Sequence, residues 1–157
     1  FDLGERVVGP FLWSTGVRRV DTIVVTHAHP DHAGGAPFLL RAFGVREIWE
    51  GPAPRTDATY RILDEAIGRA RVGRRTVVRG VVADWDGVSV EVLGPPSPRH
   101  PPRSVRNDDS VVVALRFGDV AFLLTGDIES AGEAQLLRSG RAALAAEPYR
   151  LGESAPG

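Results

Sequence analysis

Between a short β-branched run, Ile23-Val24-Val25, and the doublet Gly34-Gly35, the chain carries Thr26-His27-Ala28-His29-Pro30-Asp31-His32-Ala33. No other segment constrains the fold as tightly. A run this short and apolar predicts a buried strand over Asp21 to Thr26, which puts the histidines in the loop at its carboxyl end. In extended backbone, residues two apart point the same way, so His27 and His29 converge on one ion. Pro30 bends the chain and leaves Asp31 and His32 free to face a second ion, while Gly34-Gly35 allows tight passage into a following helix. Two imidazoles on one ion and a carboxylate plus an imidazole on the next is the ligation of a two-metal hydrolase. The structural alternative is a helix start that happens to be rich in His. The interleaved Asp and the Gly-Gly that follows weigh against it.

The rest of the chain alternates helical and extended patterns. Pro10 to Thr15 predicts a short helix with Gly16 as a left-handed stop. A helix is expected over Gly35 to Phe43, closed by Gly44, then a short strand over Glu47 to Trp49. Tyr60, Leu63, Ile67 and Ala70 have helical spacing, so Thr56 to Val72 is expected to be a helix capped by Thr56 or Asp57 and ended by Gly73. Thr76 to Val78 and Val88 to Leu93 read as strands, the second by the alternation of Val88, Val90 and Val92. Five prolines make Gly94 to Arg106 a loop. Ser110 to Phe117 and Val120 to Thr125 then form a hairpin across Gly118-Asp119. Ser130 to Arg138 is a helix, with Gly140 as its stop. The order fits α/β architecture, a mixed sheet with helices outside.

Composition narrows the function. The 157 residues suit one globular domain, and 19 basic against 20 acidic residues argue against a generally basic nucleic-acid binder. Every basic residue is Arg, which suits phosphate recognition but also follows from GC-rich coding. With no Cys, a transition-metal site must use His, Asp and Glu. No apolar run approaches the roughly 20 residues needed to span a bilayer. The start at Phe1-Asp2-Leu3-Gly4-Glu5-Arg6-Val7-Val8 reads as the middle of a longer polypeptide.

Thr125-Gly126-Asp127 closes the apolar run Ala121-Phe122-Leu123-Leu124. Asp127 there either caps the next helix or bridges two cations about 3.5–4 Å apart. The HxHxDH pattern from His27 to His32 and the Gly-Asp at Asp127 resemble the second and fourth motifs of the metallo-β-lactamase superfamily. More narrowly, Asn107-Asp108-Asp109-Ser110-Val111-Val112-Val113, the run Phe122 to Glu129, Phe1 to Val8 and Val20-Asp21 resemble the carboxy-terminal hydrolase domain of ComEC-type competence proteins. The resemblance covers residues 1–141, with 142–157 a divergent tail. It implies an αββα sandwich and a two-metal site, zinc or manganese, at the sheet edges. It also implies DNA as the substrate of phosphodiester hydrolysis, and a parent protein embedded in the bacterial plasma membrane with this domain soluble. By the same resemblance His27 and His29 hold the first metal, Asp31 and His32 the second, and Asp127 bridges them, with Asp31 also orienting the nucleophile. Three departures stand out. The strand and Asp-Gly-Gly turn that normally come first are missing, no His stands between the second and fourth motifs, and no late His-His-Gly motif follows the last helix. The fold is therefore expected to be incomplete at both ends.

Other residues carry weaker signals. Asn107 and Asp108 either contact metal or substrate, or only shape a turn. His100 reads as a solvated loop residue. Arg69, Arg71, Arg74, Arg75 and Arg79 read as a solvated helix end before a nucleic-acid track, and Trp13, Trp49 and Trp85 as core before base-stacking platforms. Two further functions remain compatible with the motifs: hydrolysis of small esters or thioesters on the same fold, and a non-catalytic module that guides DNA.

Overall fold

A computed structural model describes residues 2–98 and 102–145, with side chains through residue 139. A π-helical turn, Gly4–Val8, runs into α1, Gly9–Ser14. Gly16 then takes the left-handed conformation the sequence requires, at φ +80°. Strand β1, Arg19–Val25, leads into the histidine loop, where His29-Pro30 opens a four-residue helix, α2, Pro30–Ala33. Proline at the first helical position has no N–H to leave unpaired. Helix α3 spans Ala36–Ala42 and β2 spans Gly44–Glu50. Gly44 is thus the first residue of a strand and not a helix stop. The stop is Phe43, whose extended backbone (φ −126°, ψ 152°) breaks the helix while its N–H still bonds to Leu39.

Helix α4, Ala58–Ala70, is capped by Asp57, whose carboxylate accepts from the amides of Thr59 and Tyr60 at 2.8 and 3.2 Å. Its end also departs from expectation. Arg71, not Gly73, takes the left-handed position, at φ 55°, and Gly73 opens β3, Gly73–Thr76. The strand expected over Thr76 to Val78 therefore lies three residues earlier. Strands β4, Val82–Trp85, and β5, Val88–Gly94, form a hairpin through Asp86-Gly87. Both turn residues have positive φ, 53° and 86°, as a type I′ turn demands. After the proline-rich loop a 3-10 turn, Asn107–Asp109, precedes β6, Val112–Phe117, and β7, Val120–Leu124, which pair across Gly118-Asp119 as expected. Helix α5, Ser130–Ala145, runs straight through Gly140.

The strands form two sheets and not one mixed sheet. The first, β1-β2-β3, is wholly parallel, its crossovers made by α2 with α3 and by α4; the second, β4-β5-β6-β7, is wholly antiparallel. Three apolar cores separate four layers. Val25, Ala33, Leu40, Ile48, Leu63 and Ile67 join α3 and α4 to the first sheet. Trp49, Val77, Val90, Val92, Val111 and Val113 fill the space between the sheets. Leu93, Val112, Ala114 and Leu136 join the second sheet to α5. Alternation along β6 carries the division, since odd residues face the first sheet and even residues face α5. The order helix, sheet, sheet, helix is the expected αββα sandwich. Along β7 the apolar side chains of Val120, Phe122 and Leu124 stay 52–63% exposed, so the central core ends at β6. No helix among the described residues is long and apolar enough to cross a membrane.

Candidate metal centre

The centre forms where the two sheets end side by side. The Thr26 carbonyl, just past β1, accepts the Val111 amide at 2.8 Å, which locks the histidine loop to the start of β6. From the first sheet, His27 Nε2 and His29 Nδ1 approach to 2.9 Å. From the second, Asp127 Oδ2 lies 2.9 Å from His32 Nε2, although the two residues are 95 positions apart. Asp31 Oδ2 is 3.6 Å from the same His32 nitrogen, and its side chain is 71% exposed. One donor atom each from His27, His32 and Asp127 lies within 4.8 Å of the others. Thus the five side chains singled out as metal ligands fall in one neighbourhood, as the pairs His27–His29 and His32–Asp127 with Asp31 beside His32.

The donor set fits divalent ions. Two ligands of a tetrahedral ion with bonds of about 2.0–2.1 Å stand about 3.3 Å apart. Both 2.9 Å pairs reach that spacing with shifts of a few tenths of an ångström. Burial, followed by the charges of His32 and His29, holds the His27 imidazole below its ordinary pKa, even though Asp127 and Asp31 act against it. A depressed pKa keeps His27 neutral near pH 7, the form that binds a metal.

Local structure explains why these residues stand here. His27 and His29 share the extended stretch after β1, where alternate side chains point the same way. Pro30 starts α2 and turns Asp31 and His32 onto its first turn. Gly126, in the left-handed conformation at φ 58°, passes so close to the 3-10 turn that a Cβ there would lie 2.9 Å from the Ser110 side chain and 3.1 Å from Thr26. That close passage brings Asp127 up to His32.

Asn107 and Asp108 take a different place. Asp108 Oδ1 accepts the amides of Glu129 and Gly132 at 2.8 and 2.9 Å, capping α5 just beyond Asp127. Asn107 donates to Glu129 Oε1 at 3.0 Å, and its own side-chain oxygen is buried without a hydrogen-bond partner. Both side chains are thus engaged at the start of α5. The basic stretch is dispersed. Arg69 pairs with Glu65, Arg74 with Glu50 and Asp64, Arg75 stacks on Trp49, and Arg79 donates to the Leu93 carbonyl. Trp49 and Trp85 pack in the central core, whereas Trp13, 40% exposed, stacks on Phe43. His100 lies outside the described residues.

Three contributors are not evident from the sequence. Ser110 is 1% exposed, with its hydroxyl 3.2 Å from His27 Nδ1. Thr26 Oγ1 is 3.1 Å from the same nitrogen. Arg106 shares with His27, Thr26, Glu50, Tyr60 and Asp109 a cleft beside the centre. Burial pushes the Asp109 carboxyl up against the opposing charge of Arg106. The Tyr60 hydroxyl, also buried and pushed up, makes no hydrogen bond of ordinary geometry although the charge of Glu50 reaches it. Only the spacing Ser-Val-Val-Val at the start of a strand marks Ser110 in the sequence.

Residues 2–153 match the metallo-β-lactamase superfamily. The chain is 31% identical over 137 residues to ComE operon protein 3 of Bacillus subtilis (strain 168), a match covering 87% of this chain and 17% of that protein. It is 27% identical over 148 residues to competence protein ComA of Neisseria gonorrhoeae, covering 87% and 18%. Against recombination protein 2 of Haemophilus influenzae it is 26% identical over 131 residues, covering 83% and 14%. The chain thus spans under a fifth of the length of each of these relatives. Among solved structures, a diphosphatase from the PhnP family aligns with a TM-score of 0.41 at 18% identity, over 80% of this chain and 47% of that one.

Proposed function

The chain belongs to the metallo-β-lactamase superfamily, and on that premise we propose that it is a two-metal hydrolase domain acting on phosphodiesters of DNA within a competence or DNA-uptake protein. The observation that carries the reading is the convergence of His27 with His29 and of His32 with Asp127, from the ends of two different sheets. In this reading His27 and His29 would hold one ion, Asp31 and His32 would hold the other, and Asp127 would contribute its carboxylate to both. Two divalent ions, zinc or manganese, would supply Lewis-acid polarisation of the phosphoryl group and an activated water. The protein's own residues do the rest. Asp31, the most exposed of the acids, accepts a hydrogen bond from the attacking water and orients it. Arg106 lines the cleft that His27 also lines, and its guanidinium would pair with a non-bridging phosphate oxygen. The competence relatives support DNA as the substrate and a membrane-associated parent.

The test is degradation of a labelled oligonucleotide with manganese or zinc, with and without chelator, beside a thioester and a lactone. Chelator-sensitive cleavage of the oligonucleotide is expected. Turnover of the small esters with DNA intact would replace this reading by the ester hydrolase. Metal binding without turnover of any substrate would replace it by the non-catalytic DNA-guiding module.

A further inference from the structure

We propose that Ser110 is a positioning residue of the metal centre, its hydroxyl holding the His27 ring in one orientation while the ring changes tautomer on metal binding. The inference rests on the metal-centre reading above. Its geometry comes from both sheets. Ser110 Oγ accepts the Asp127 amide at 3.3 Å and lies 3.2 Å from His27 Nδ1, so one buried atom touches the backbone of one ligand residue and the ring of another. Thr26 Oγ1 lies 3.1 Å from the same Nδ1 and 3.5 Å from His32 Nδ1. Every ring nitrogen that faces away from the centre in these two residues therefore meets a hydroxyl.

A hydroxyl has one hydrogen and two lone pairs and can rotate to use either. As the chain stands, the 2.9 Å approach of His27 Nε2 to His29 Nδ1 places one proton between them. With that proton on His27 Nε2, its Nδ1 is an acceptor, and the Ser110 hydroxyl donates to it. An ion held by Nε2 needs that nitrogen's lone pair, so the ring proton must then reside on Nδ1. Nδ1–H now donates, and Ser110 and Thr26 accept. A carboxylate or carbonyl at this place could serve only the second state and would favour it permanently. The serine serves both, so the ring keeps its aim while its proton moves.

The decisive measurement is nitrogen-15 NMR of the His27 ring in the intact chain, without metal and after zinc addition. The expected result is a proton on Nε2 before zinc, and on Nδ1 afterwards, with a cross-relaxation contact from that proton to the Ser110 methylene. Ser110→Ala is expected to lower zinc affinity about 10-fold or more, and Thr26→Val, which keeps shape and loses the hydroxyl, by a smaller factor. Zinc on Nδ1, or a Ser110→Ala variant with unchanged affinity and unchanged ring signals, overturns the proposal while leaving the metal centre intact. A purely structural serine would lower stability and leave the ring signals of the loaded protein where they were. Absence of zinc binding by the wild-type chain overturns both readings, and the wild-type spectra decide even if Ser110→Ala fails to fold.

Discussion

Glu50 offers the most quantitative test of how the cleft beside the metal centre is supported. Its carboxylate, 1% exposed at the end of β2, accepts Arg74 Nε at 2.7 Å, Arg74 Nη2 at 3.1 Å and Arg55 Nη2 at 2.9 Å. Removing one partner of a buried ion pair costs about 3–5 kcal/mol, because the other charge is left dry and unpaired. Here the guanidinium groups are partly wet, 29% exposed at Arg74 and 46% at Arg55, and both also contact Asp64. They can recover some hydration, so Glu50→Ala is expected at the lower end, about 3 kcal/mol. Glu50→Gln keeps the volume and one acceptor but turns an amide NH₂ toward guanidinium donors, and about 2 kcal/mol is expected. Urea denaturation followed by circular dichroism, extrapolated linearly, gives both values. For a chain of this size, about 3 kcal/mol corresponds to a drop in Tm of about 6–12 °C. Replacing Arg74 by Met in the Glu50→Ala background should then recover stability, since an apolar pair costs no desolvation. A loss under about 1 kcal/mol for Glu50→Ala, with an unchanged denaturant slope, would refute the account.

Gly126→Ala should cost about 2–5 kcal/mol, the sum of about 1–2 for the left-handed backbone and about 1–3 for overlap with Ser110 and Thr26. Calorimetry of the unloaded protein checks it, and a stable variant would mean that Gly126 is not confined at φ 58°. Asp127→Ala should lower the content of both metals as measured by elemental analysis; equal content in variant and wild type would remove Asp127 from the centre. Asp109→Asn tests a sign. Burial raises the folded-state pKa of Asp109 above its unfolded value, so the cost of burying the charge is absent below the unfolded value. That cost grows as pH rises through the interval and is complete above the folded value. The Asn variant should therefore gain on wild type as pH rises from about 3 to about 7, read from urea midpoints; a gain that shrinks with pH would contradict the burial argument.

How far the sequence disclosed this molecule depends on the range of the interaction concerned. The His27 to His32 segment is local, and its period-two spacing, Pro30 and Gly34-Gly35 are enough to place its side chains. Glycine punctuation was less faithful. Gly44 and Gly73 follow helices and resemble stops, yet each opens a parallel strand, because the breaks are made one and two residues earlier by Phe43 and Arg71. Gly140 stays within a helix, a cost of about 1 kcal/mol that neighbouring Ala and Leu can offset. The hairpin at Asp86-Gly87 left a clear turn signal, but the four-residue β4 before it is too short for alternation to declare itself. Division into two sheets is a long-range matter that no window of sequence contains. The role of Ser110 was hidden for the same reason, since the partner that gives it meaning is 83 residues away.

That the centre is completed only when Asp127 meets His32 across 95 positions has a thermodynamic corollary for experiments on this chain. An unfolded molecule holds the two halves on independent stretches of polypeptide, so it offers no assembled site. Apparent affinity is then the intrinsic affinity multiplied by the fraction of molecules that are folded. While that fraction stays near one, a destabilising substitution in a remote core leaves ion uptake untouched; once the folded population falls to a tenth, the apparent dissociation constant rises about tenfold with no ligand changed. The reverse also holds, because an ion that binds only the folded form stabilises it in proportion to the logarithm of its concentration over its dissociation constant. On the two-metal reading proposed above, ion uptake would be a gauge of foldedness for this sandwich, and a chelator would act on it as a mild denaturant.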